Sequence, residues 1–294
     1  MHSSECLTRD TLRIGFIGLG NMGLPMARRL LEKSGCPVYG FDIVPAALEK
    51  LAAAGGTPEP DSTALLEKSD VVFLSLPSNE LVRANLEAAV RNCRNGSVIV
   101  DTSSSVPSVI QSCAAQAAAR GVELIDCPVS GGVDGAEKGT LSAMCGGSEA
   151  AVARVMPLLA CFASRVTYMG PLGSGYAAKL INNLIVGGEI TLIAEAFGLA
   201  RRAGVDLTRL MEALSGGAAG SPVLTMKGGK MIDRDYTASS RVLIHLKDQH
   251  NAQDMARALG ADIPACDLST SLLEKLADMG RGNEDAAAVI DLFQ

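Results

Sequence analysis

Two polar residues in one apolar helix could perform acid–base chemistry. The stretch from residue 170 to residue 204 is predicted as a single long helix, and Lys179 and Asn183 interrupt its apolar run. Residues four apart lie on the same helix face, so the amine and the amide should point into the same cavity. A long polar group buried there needs a partner or a chemical task. The alternative is a lysine whose carbon chain lies along the buried face while its amine reaches water.

A glycine-rich turn between a short strand and a helix predicts a phosphate-binding site. The apolar run 13–19 reads as a strand, residues 22–33 have helical spacing, and the turn at 18–23 is GLGNMG, a match to GxGxxG. In this motif the first glycine allows the sharp turn, the second lets a pyrophosphate approach the backbone, and the third lets helix and strand pack closely. The predicted dinucleotide contacts in this turn are Gly18, Gly20, Asn21, Met22 and Gly23.

An acid at the end of the next strand predicts a preference for NAD. The strand 37–41 is followed by Asp42, at about the 20-residue spacing that the dinucleotide fingerprint requires. Its carboxylate would accept hydrogen bonds from the ribose hydroxyls and repel a 2′-phosphate, and residues 43–45 supply no arginine to bind such a phosphate. We therefore expect NAD as the cofactor, with NADP less favoured. The alternative for Asp42 is a residue that only ends the strand in a turn.

Apolar strands alternate with helices through the first half of the chain. This alternation predicts a mostly parallel, doubly wound sheet that is covered on both faces. Ligands in such sheets bind at the carboxyl ends of the strands, so the loops at 76–78, 102–105 and 128–132 are expected to line the site. The further predicted strands are 70–76, 97–101, 122–126, 141–146 and 165–169, with helices at 80–91, 107–120 and 149–160.

One of these loops combines a hydroxyl with two glycines. Ser130, Gly131 and Gly132 could turn successive backbone N–H groups toward one anion. A substrate carboxylate is the natural ligand for such a turn. The alternative is a plain connection between two strands, because paired glycines are common in turns.

Composition narrows the class of protein. A chain of 294 residues with a net charge of −6 is long enough for two domains and is a poor match for nucleic acid. Its eight cysteines include no CxxC pair, so we predict no metal site and a reducing, cytoplasmic location. The polar segment 1–13 is expected to be a frayed tail and not a secretory signal. The apolar helix carries Asn182, Asn183, Glu189 and Glu195, which favours a core or subunit interface over a membrane span.

Five motifs that occur in a fixed order point to one protein family. The chain resembles the β-hydroxyacid dehydrogenase family, which includes 3-hydroxyisobutyrate dehydrogenase and 2-hydroxy-3-oxopropionate (tartronate semialdehyde) reductase, from about residue 12 to residue 293. The resemblance implies an N-terminal Rossmann domain (1–169), an all-α C-terminal domain (170–294) joined through the long helix, and NAD(P)-dependent hydride transfer between a small 3-hydroxy acid and its semialdehyde. The motifs are GFIGLGNMG at 15–23, DTSS at 101–104, PVSGG at 128–132, GSGYAAKLINN at 173–183 and LKDQHNA at 246–252.

The resemblance also implies a role for each matching residue. Lys179 matches the catalytic lysine and Asn183 the asparagine that orients the substrate, while Lys247 and Asp248 match a Lys-Asp pair that closes over cofactor and substrate. Two departures limit what carries over: Leu81 stands where some relatives have a cofactor-contacting asparagine, and the segment 239–241 lacks a Pro-Gly-Phe lead-in. The remaining matches are Leu76, Pro77 and Ser104 beside the nicotinamide, and Ser130, Gly131 and Gly132 at the substrate carboxylate.

The sequence also allows three alternative functions. A decarboxylating 6-phosphogluconate-type dehydrogenase also uses a lysine and an asparagine on a long helix, but no obvious arginine set is available here for a substrate phosphate. An imine reductase typically replaces the lysine, and non-catalytic NAD-binding or chromatin-associated relatives have lost it, so Lys179 argues against both. The sequence identifies neither the hydroxy acid nor the physiological direction. A homodimer or homotetramer is the expected assembly.

Overall fold

The computed structural model describes residues 12–293. Apart from its last two residues, the predicted N-terminal tail therefore lies outside the described residues, as does Cys6. The chain divides into two compact units, Met1–Lys179 and Leu180–Gln294. This division falls within the long helix, ten residues beyond the boundary that the motifs predict.

The first unit is built on one sheet. Over residues 12–179 its nine strands are β1 (Ile14–Ile17), β2 (Val38–Phe41), β3 (Thr57–Pro58), β4 (Val71–Leu74), β5 (Val98–Asp101), β6 (Glu123–Asp126), β7 (Val129–Ser130), β8 (Leu141–Gly146) and β9 (Ala163–Gly170). The helices of this unit are α1 (Gly23–Ser34), α2 (Pro45–Ala53), α3 (Ser62–Lys68), α4 (Asn79–Asn92), α5 (Pro107–Gln111), α6 (Ala114–Ala119), α7 (Gly132–Lys138) and α8 (Glu149–Leu159).

The strand order confirms the predicted doubly wound fold. The strands run β3-β2-β1-β4-β5-β6-β8-β7, with β9 paired to β8. The first six are parallel in the order that defines a dinucleotide-binding sheet. Antiparallel pairing begins only where β8 joins β6 and β7, so the sheet is mostly parallel.

Helices cover both faces of this sheet because its central strands are apolar on both sides. All four residues of β1, β4 and β5 are buried, as expected for a parallel sheet between two helical layers. On one face Phe16 stacks on Phe73 at 5.8 Å between ring centroids, and Phe162 meets Phe73 edge-on at 5.8 Å. The other face buries a separate cluster that includes Leu86 of α4 and Tyr176. The two layers hold the strand ends rigidly in place.

Several local predictions need correction. The helix predicted over 107–120 is two helices, α5 and α6, because the Ser112 hydroxyl donates to the Val109 carbonyl at 2.7 Å and competes with the helical hydrogen bonds. The loop predicted over 128–132 contains β7 and the start of α7. The elements α2, α3 and β3, between Asp42 and residue 70, were not predicted, because these short segments carry little periodic signal.

The second unit is helical, and the long helix leads into it. This helix, α9, covers Ser174–Arg202, so it is shorter at both ends than the predicted 170–204. Its apolar core includes Phe197 of α9 and Met231, and Lys227 and Asp285 form a buried ion pair. The remaining elements are α10 (Leu207–Ser215), α11 (Pro222–Asp233), α12 (Val242–Leu259), α13 (Pro264–Leu276), a π-helical turn at Ala277–Arg281 and a 3-10 helix at Ala286–Phe293.

Within residues 12–293, one helix is long enough and apolar enough to cross a bilayer, and this helix is α9. The core helices of globular proteins pass the same test of length and composition.

Candidate active site

Four parallel strands of the first unit end at the same level. Ile17 pairs with Leu74, Leu74 with Asp101, and Asp101 with Asp126, so the last residues of β1, β4, β5 and β6 are in register. The loops that follow these strands therefore leave one edge of the sheet. The glycine turn, the 76–78 loop and the 102–105 loop all start here, and the 128–132 segment follows within a few residues.

The turn after β1 fits a dinucleotide. Gly18 has φ = 92°, and a Cβ there would overlap the Ser75 carbonyl. A Cβ on Gly23 would overlap the Gly18 carbonyl, whereas one on Gly20 would meet no atom within 4 Å. No side chain caps the N-terminus of α1, so no side chain competes with a phosphate there, although the Leu24 N–H donates to the Gly20 carbonyl at 3.1 Å. The two crowded glycines shape the turn, and the open space at Gly20 is where a pyrophosphate can approach. Asn21 and Met22 complete the same turn.

Asp42 is tied to this turn directly. Its Oδ2 accepts the Leu19 N–H at 2.6 Å, and its Oδ1 accepts the Val44 N–H at 2.8 Å. The residue thus ends β2 in a turn, as the alternative reading stated. A carboxylate has about four lone-pair sites, so ribose hydroxyls can still be accepted. Ile43, immediately after it, is 87% exposed.

The loops after β4 and β5 are linked to each other. The Leu76 N–H donates to the Ser103 hydroxyl at 2.8 Å, and the Ser103 N–H donates to Asp101 Oδ1 at 2.8 Å. Through these bonds Asp101 fixes the backbone beside Pro77 and Ser104. The Ser105 hydroxyl also donates to the side-chain carbonyl of Asn79 at 2.9 Å.

The predicted carboxylate-binding residues lie where β7 passes into α7. Ser130 is the last residue of β7, Gly131 has φ = 132°, and Gly132 has φ = 64° and begins α7. Both glycines are exposed, and both φ values are in the range that disfavours other residues. The segment can therefore present backbone N–H groups to an anion.

Lys179 is buried in α9, with 8% of its surface exposed. The start of this helix is hydrogen-bonded to the end of β6: Asp126 Oδ1 accepts the Gly173 N–H at 2.7 Å, and its Oδ2 accepts the Tyr176 N–H at 2.8 Å. The Tyr176 hydroxyl donates to Asp101 Oδ2. Burial raises the pKa of Asp126 to about 6, although hydrogen bonds from four backbone N–H groups act in the opposite direction. Sequence reasoning missed Asp101, Asp126 and Tyr176; the available signal was two aspartates ending neighbouring strands.

The second unit brings together three further predicted residues. The Asn183 side-chain amide donates to Asp248 Oδ2 at 2.7 Å, and the Lys247 amine lies 3.3 Å from Asp248 Oδ1. The Asn182 amide donates to the Asn183 side-chain carbonyl at 2.9 Å. Asp248 therefore fixes which way the Asn183 amide faces. Asn183 itself lies one turn after Lys179 on α9.

A buried glutamine supports this cluster, and sequence reasoning missed it. The Gln249 amide donates to the Asn183 backbone carbonyl at 3.3 Å, and its carbonyl accepts from the Cys266 thiol at 2.7 Å. A Cβ on Gly187 would overlap the Gln249 amide, so this glycine permits α12 to approach α9. His250, by contrast, is half exposed and pairs with Glu274 at 3.1 Å.

The segment at 239–241, which the motifs left undefined, is held by one buried carboxylate. Asp285 Oδ2 accepts the Ser239 N–H at 2.8 Å, the Ser239 hydroxyl at 2.7 Å and the Ser240 N–H at 3.1 Å. Its Oδ1 accepts the Lys227 amine at 2.7 Å. The backbone immediately before α12, which carries Lys247 and Asp248, is thereby fixed.

Comparisons with known proteins find similarity over nearly the whole chain. Residues 13–170 match the NAD-binding domain of 6-phosphogluconate dehydrogenase, and residues 173–293 match a family described as the NAD-binding domain of NADP-dependent 3-hydroxyisobutyrate dehydrogenase. The chain is 35% identical to mitochondrial 3-hydroxyisobutyrate dehydrogenase of Drosophila melanogaster, over 96% of this chain and 89% of that protein. It is 34% identical to 2-hydroxy-3-oxopropionate reductase of Escherichia coli, over 96% and 97% of the two chains.

A solved structure extends the similarity to the fold. The 3-hydroxyisobutyrate dehydrogenase of Mycobacterium tuberculosis, determined with L-serine, superposes with a TM-score of 0.90 at 30% identity and covers 97% of this chain and 99% of its own.

Proposed function

Because the chain belongs to the β-hydroxyacid dehydrogenase family, we propose that Lys179 is its acid–base residue and NAD its preferred cofactor. The protein is an NAD(P)-dependent oxidoreductase of the 3-hydroxyacid type, as the sequence motifs predicted. The match to the 6-phosphogluconate enzyme covers only the dinucleotide-binding half, and the second half matches the 3-hydroxyisobutyrate family. The decarboxylating alternative therefore loses its support.

One observation carries the proposal. The strand ends that bear the glycine turn, the Leu76–Pro77 loop and Ser104 are in register, and the helix that bears Lys179 is hydrogen-bonded to the next strand end through Asp126. The residues proposed to bind the dinucleotide and the helix with the residue proposed to exchange a proton are thus attached to the same edge of the sheet, which supports the proposal. Such preorganisation is what hydride transfer requires of the protein.

The bound nicotinamide would supply hydride chemistry at its C4 atom. Lys179 would accept the hydroxyl proton as the carbonyl forms, and in the reverse direction it would return that proton to the aldehyde oxygen. Burial disfavours the charged form of an amine, which suits an 8% exposed lysine that must release its proton.

The other residues would orient the substrate. Ser130, Gly131 and Gly132 would bind its carboxylate through hydroxyl and backbone N–H groups. Asn183 would hold the reacting oxygen, with its amide oriented by Asp248 at 2.7 Å. We assign Lys247 to the cofactor and Asp248 to the substrate side. A small 3-hydroxy acid fits these residues, because they provide one turn that can bind a carboxylate and one acid–base residue that can act on a hydroxyl group.

The preference for NAD rests on Asp42. Its carboxylate is negative, and the residues after it, Ile43, Val44 and Pro45, carry no positive charge. A 2′-phosphate beside it would be repelled without a compensating cation.

We also propose a homo-oligomer, a dimer or tetramer. Four apolar side chains on α9 are 52–70% exposed, and their spacings of four, seven and seven residues place them on one helix face. An apolar stripe of this kind suits a second copy of the chain. Light scattering coupled to gel filtration would measure the mass. The four residues are Ile181, Ile185, Leu192 and Leu199.

The decisive experiment is absorbance at the reduced-nicotinamide band with a panel of acids. The panel contains 3-hydroxyisobutyrate, glycerate, threonate, 3-hydroxypropionate, a sulfonated analogue and L-serine, each with NAD and with NADP. Lys179→Ala should abolish turnover of the best substrate and leave NAD binding intact. Lys275→Ala, which removes an exposed lysine from α13, serves as the control and should retain full activity. Turnover by Lys179→Ala, or an equal loss of turnover and NAD binding, would contradict the assignment.

A further inference from the structure

The start of α9 is held by two buried aspartates that the proposed chemistry does not use. Asp101 and Asp126 end neighbouring strands, and neither exposes any surface. Asp126 accepts the Gly173 and Tyr176 N–H groups at 2.7 and 2.8 Å, and Asp101 accepts the Tyr176 hydroxyl. The first N–H groups of a helix lack partners within the helix itself, so Asp126 acts as a cap that is contributed by a distant strand.

The close approach of strand and helix is built into two glycines. A Cβ on Gly146 would lie 2.5 Å from Asp126 Oδ1, and a Cβ on Gly175 would overlap the Met144 and Asp126 carbonyls. Gly146 is the residue of β8 that pairs with Asp126. A side chain at either glycine would push the helix away from the sheet, so the sequence keeps this contact at backbone distance.

This anchor lies one helical turn before Lys179. Lys179 is the third residue after Tyr176, a rise of about 4.5 Å along the helix axis. A helix turn is stiff, so a tilt or shift of the first turn also moves the Cα atom of Lys179, from which the side chain with its amine extends. Misplacing a reacting group by about 1 Å can cost roughly 100-fold in rate.

The same aspartates also fix the loops that follow their strands. Asp101 Oδ1 accepts the Ser103 N–H, and the Ser103 hydroxyl accepts the Leu76 N–H, both at 2.8 Å. Asp126 directly precedes the segment that leads to Ser130. One hydrogen-bonded network therefore relates the helix with Lys179 to the loops assigned to the cofactor.

We propose that Asp126 and Tyr176 are positioning residues for Lys179: they set the distance of its amine from the strand ends without touching the reacting atoms. The inference rests on the proposed role of Lys179 as the acid–base residue. Replacing Asp126 or Tyr176 should lower kcat and leave dinucleotide affinity intact, because Asp101 Oδ1 still accepts the Ser103 N–H beside the cofactor loops in either variant.

The test replaces Asp126 with asparagine, which conserves volume and one acceptor oxygen. Asp126→Asn should lower kcat by about 10- to 100-fold, with the dissociation constant of the dinucleotide, measured by calorimetry, within about threefold of the unmodified protein. Tyr176→Phe, which removes only the hydrogen bond to Asp101, should lower kcat by about fivefold. It serves as the independent test if Asp126→Asn fails to fold.

The matched control is Asp70→Asn. Asp70 also accepts a backbone N–H, that of Arg13 at 2.8 Å, but it directly precedes β4 and so lies at the end of the sheet opposite to Asp126. It should reduce the thermal midpoint and leave kcat within about twofold, which separates loss of stability from loss of positioning.

The outcomes distinguish this inference from the function on which it rests. If Lys179→Ala retains turnover, the proposed function fails. If Lys179→Ala is inactive while Asp126→Asn and Tyr176→Phe keep full kcat, the positioning role alone is overturned. A parallel fall in kcat and in dinucleotide affinity, or a kcat loss in Asp70→Asn as large as that in Asp126→Asn, would also overturn it, because the residues would then be merely structural.

Discussion

Replacing either member of the Lys227–Asp285 ion pair should destabilise the second unit, and the two replacements should differ in cost. The pair is buried, with side-chain exposures of 5% and 0%, and its N–O distance is 2.7 Å. Asp285 also accepts two hydrogen bonds from Ser239, one from the Ser240 N–H and one from the Ala287 N–H at 3.0 Å. The carboxylate therefore has four donors besides the lysine, whereas the structure gives the amine one further partner, the Ser239 hydroxyl at 3.2 Å.

This asymmetry determines the expected magnitudes. Removing one partner of a buried pair costs about 3–5 kcal/mol, because the other charge remains buried without compensation. Lys227→Met leaves Asp285 with its four remaining donors, so we expect the low end of this range, about 3 kcal/mol. Asp285→Ala leaves the ammonium with a single hydroxyl and deprives three backbone N–H groups of their acceptor, so we expect about 5 kcal/mol or more.

Native-state hydrogen exchange, read by mass spectrometry, would localise these losses. The free energies of opening for amides in α11 and α12 should fall by the stated amounts in each variant. Lys138→Met breaks an exposed pair with Asp134 and should cost less than about 0.5 kcal/mol, which makes it the control. The reasoning is refuted if Lys227→Met costs as much as Asp285→Ala, or if either variant behaves like the exposed control.

The pH dependence of this pair has a definite sign. Burial alone would raise the pKa of Asp285, but the hydrogen bonds from Lys227, Ser239 and Ala287 outweigh it and hold that pKa well below its usual range. The folded protein therefore binds the proton less readily than the unfolded chain does. The resulting stability is fully present above the ordinary aspartate pKa of about 3.9 and is lost as the pH falls below it. In Asp285→Ala, this loss of folding stability of the second unit at acidic pH should be absent.

Two further predictions concern the first unit. Asp42→Asn keeps an acceptor for the Leu19 N–H but removes the charge, so the ratio of kcat/KM for NAD to that for NADP should fall by about tenfold or more; steady-state kinetics with both cofactors checks this, and an unchanged ratio would remove the basis for the NAD preference. Burial raises the pKa of Asp126 to about 6, so its carboxyl favours the folded state most at low pH, and that contribution is lost as the pH rises from about 4 to about 6. The destabilisation caused by Asp126→Asn, measured by urea denaturation, should therefore shrink by up to about 3 kcal/mol between pH 4 and pH 7; a cost that grows with pH would contradict this.

The parts of the fold that sequence predicted are those whose signal is local. The central strands β1, β4 and β5 are continuous apolar runs, and the turn at Gly18 follows from a motif in which Gly18 and Gly23 each have a steric reason. The break between α5 and α6 was missed because the residues around Ser112 are compatible with one helix. One serine hydroxyl that competes for a carbonyl decides that local structure.

The parts of the candidate site that sequence missed depend on contacts between residues distant in the chain. Asp126 and Tyr176 are 50 residues apart, and Ser239 and Asp285 are 46 apart. Neither pair leaves a trace in periodicity or spacing, because a strand-ending aspartate reads as a turn residue whether it faces water or caps a helix. Only the register of β5 and β6 and the position of α9 distinguish the two cases.

Three aspartates at strand ends share one structural task in the first unit. Asp42 accepts the N–H of Leu19 in the glycine turn, Asp101 accepts the N–H of Ser103, and Asp126 accepts two N–H groups at the start of α9. A carboxylate is suited to this task because it binds several donors at once and is a stronger acceptor than a neutral group. Each aspartate thus turns a loop, which would otherwise be mobile, into an extension of the rigid sheet. The position of each of these loops is then set by the register of the strands.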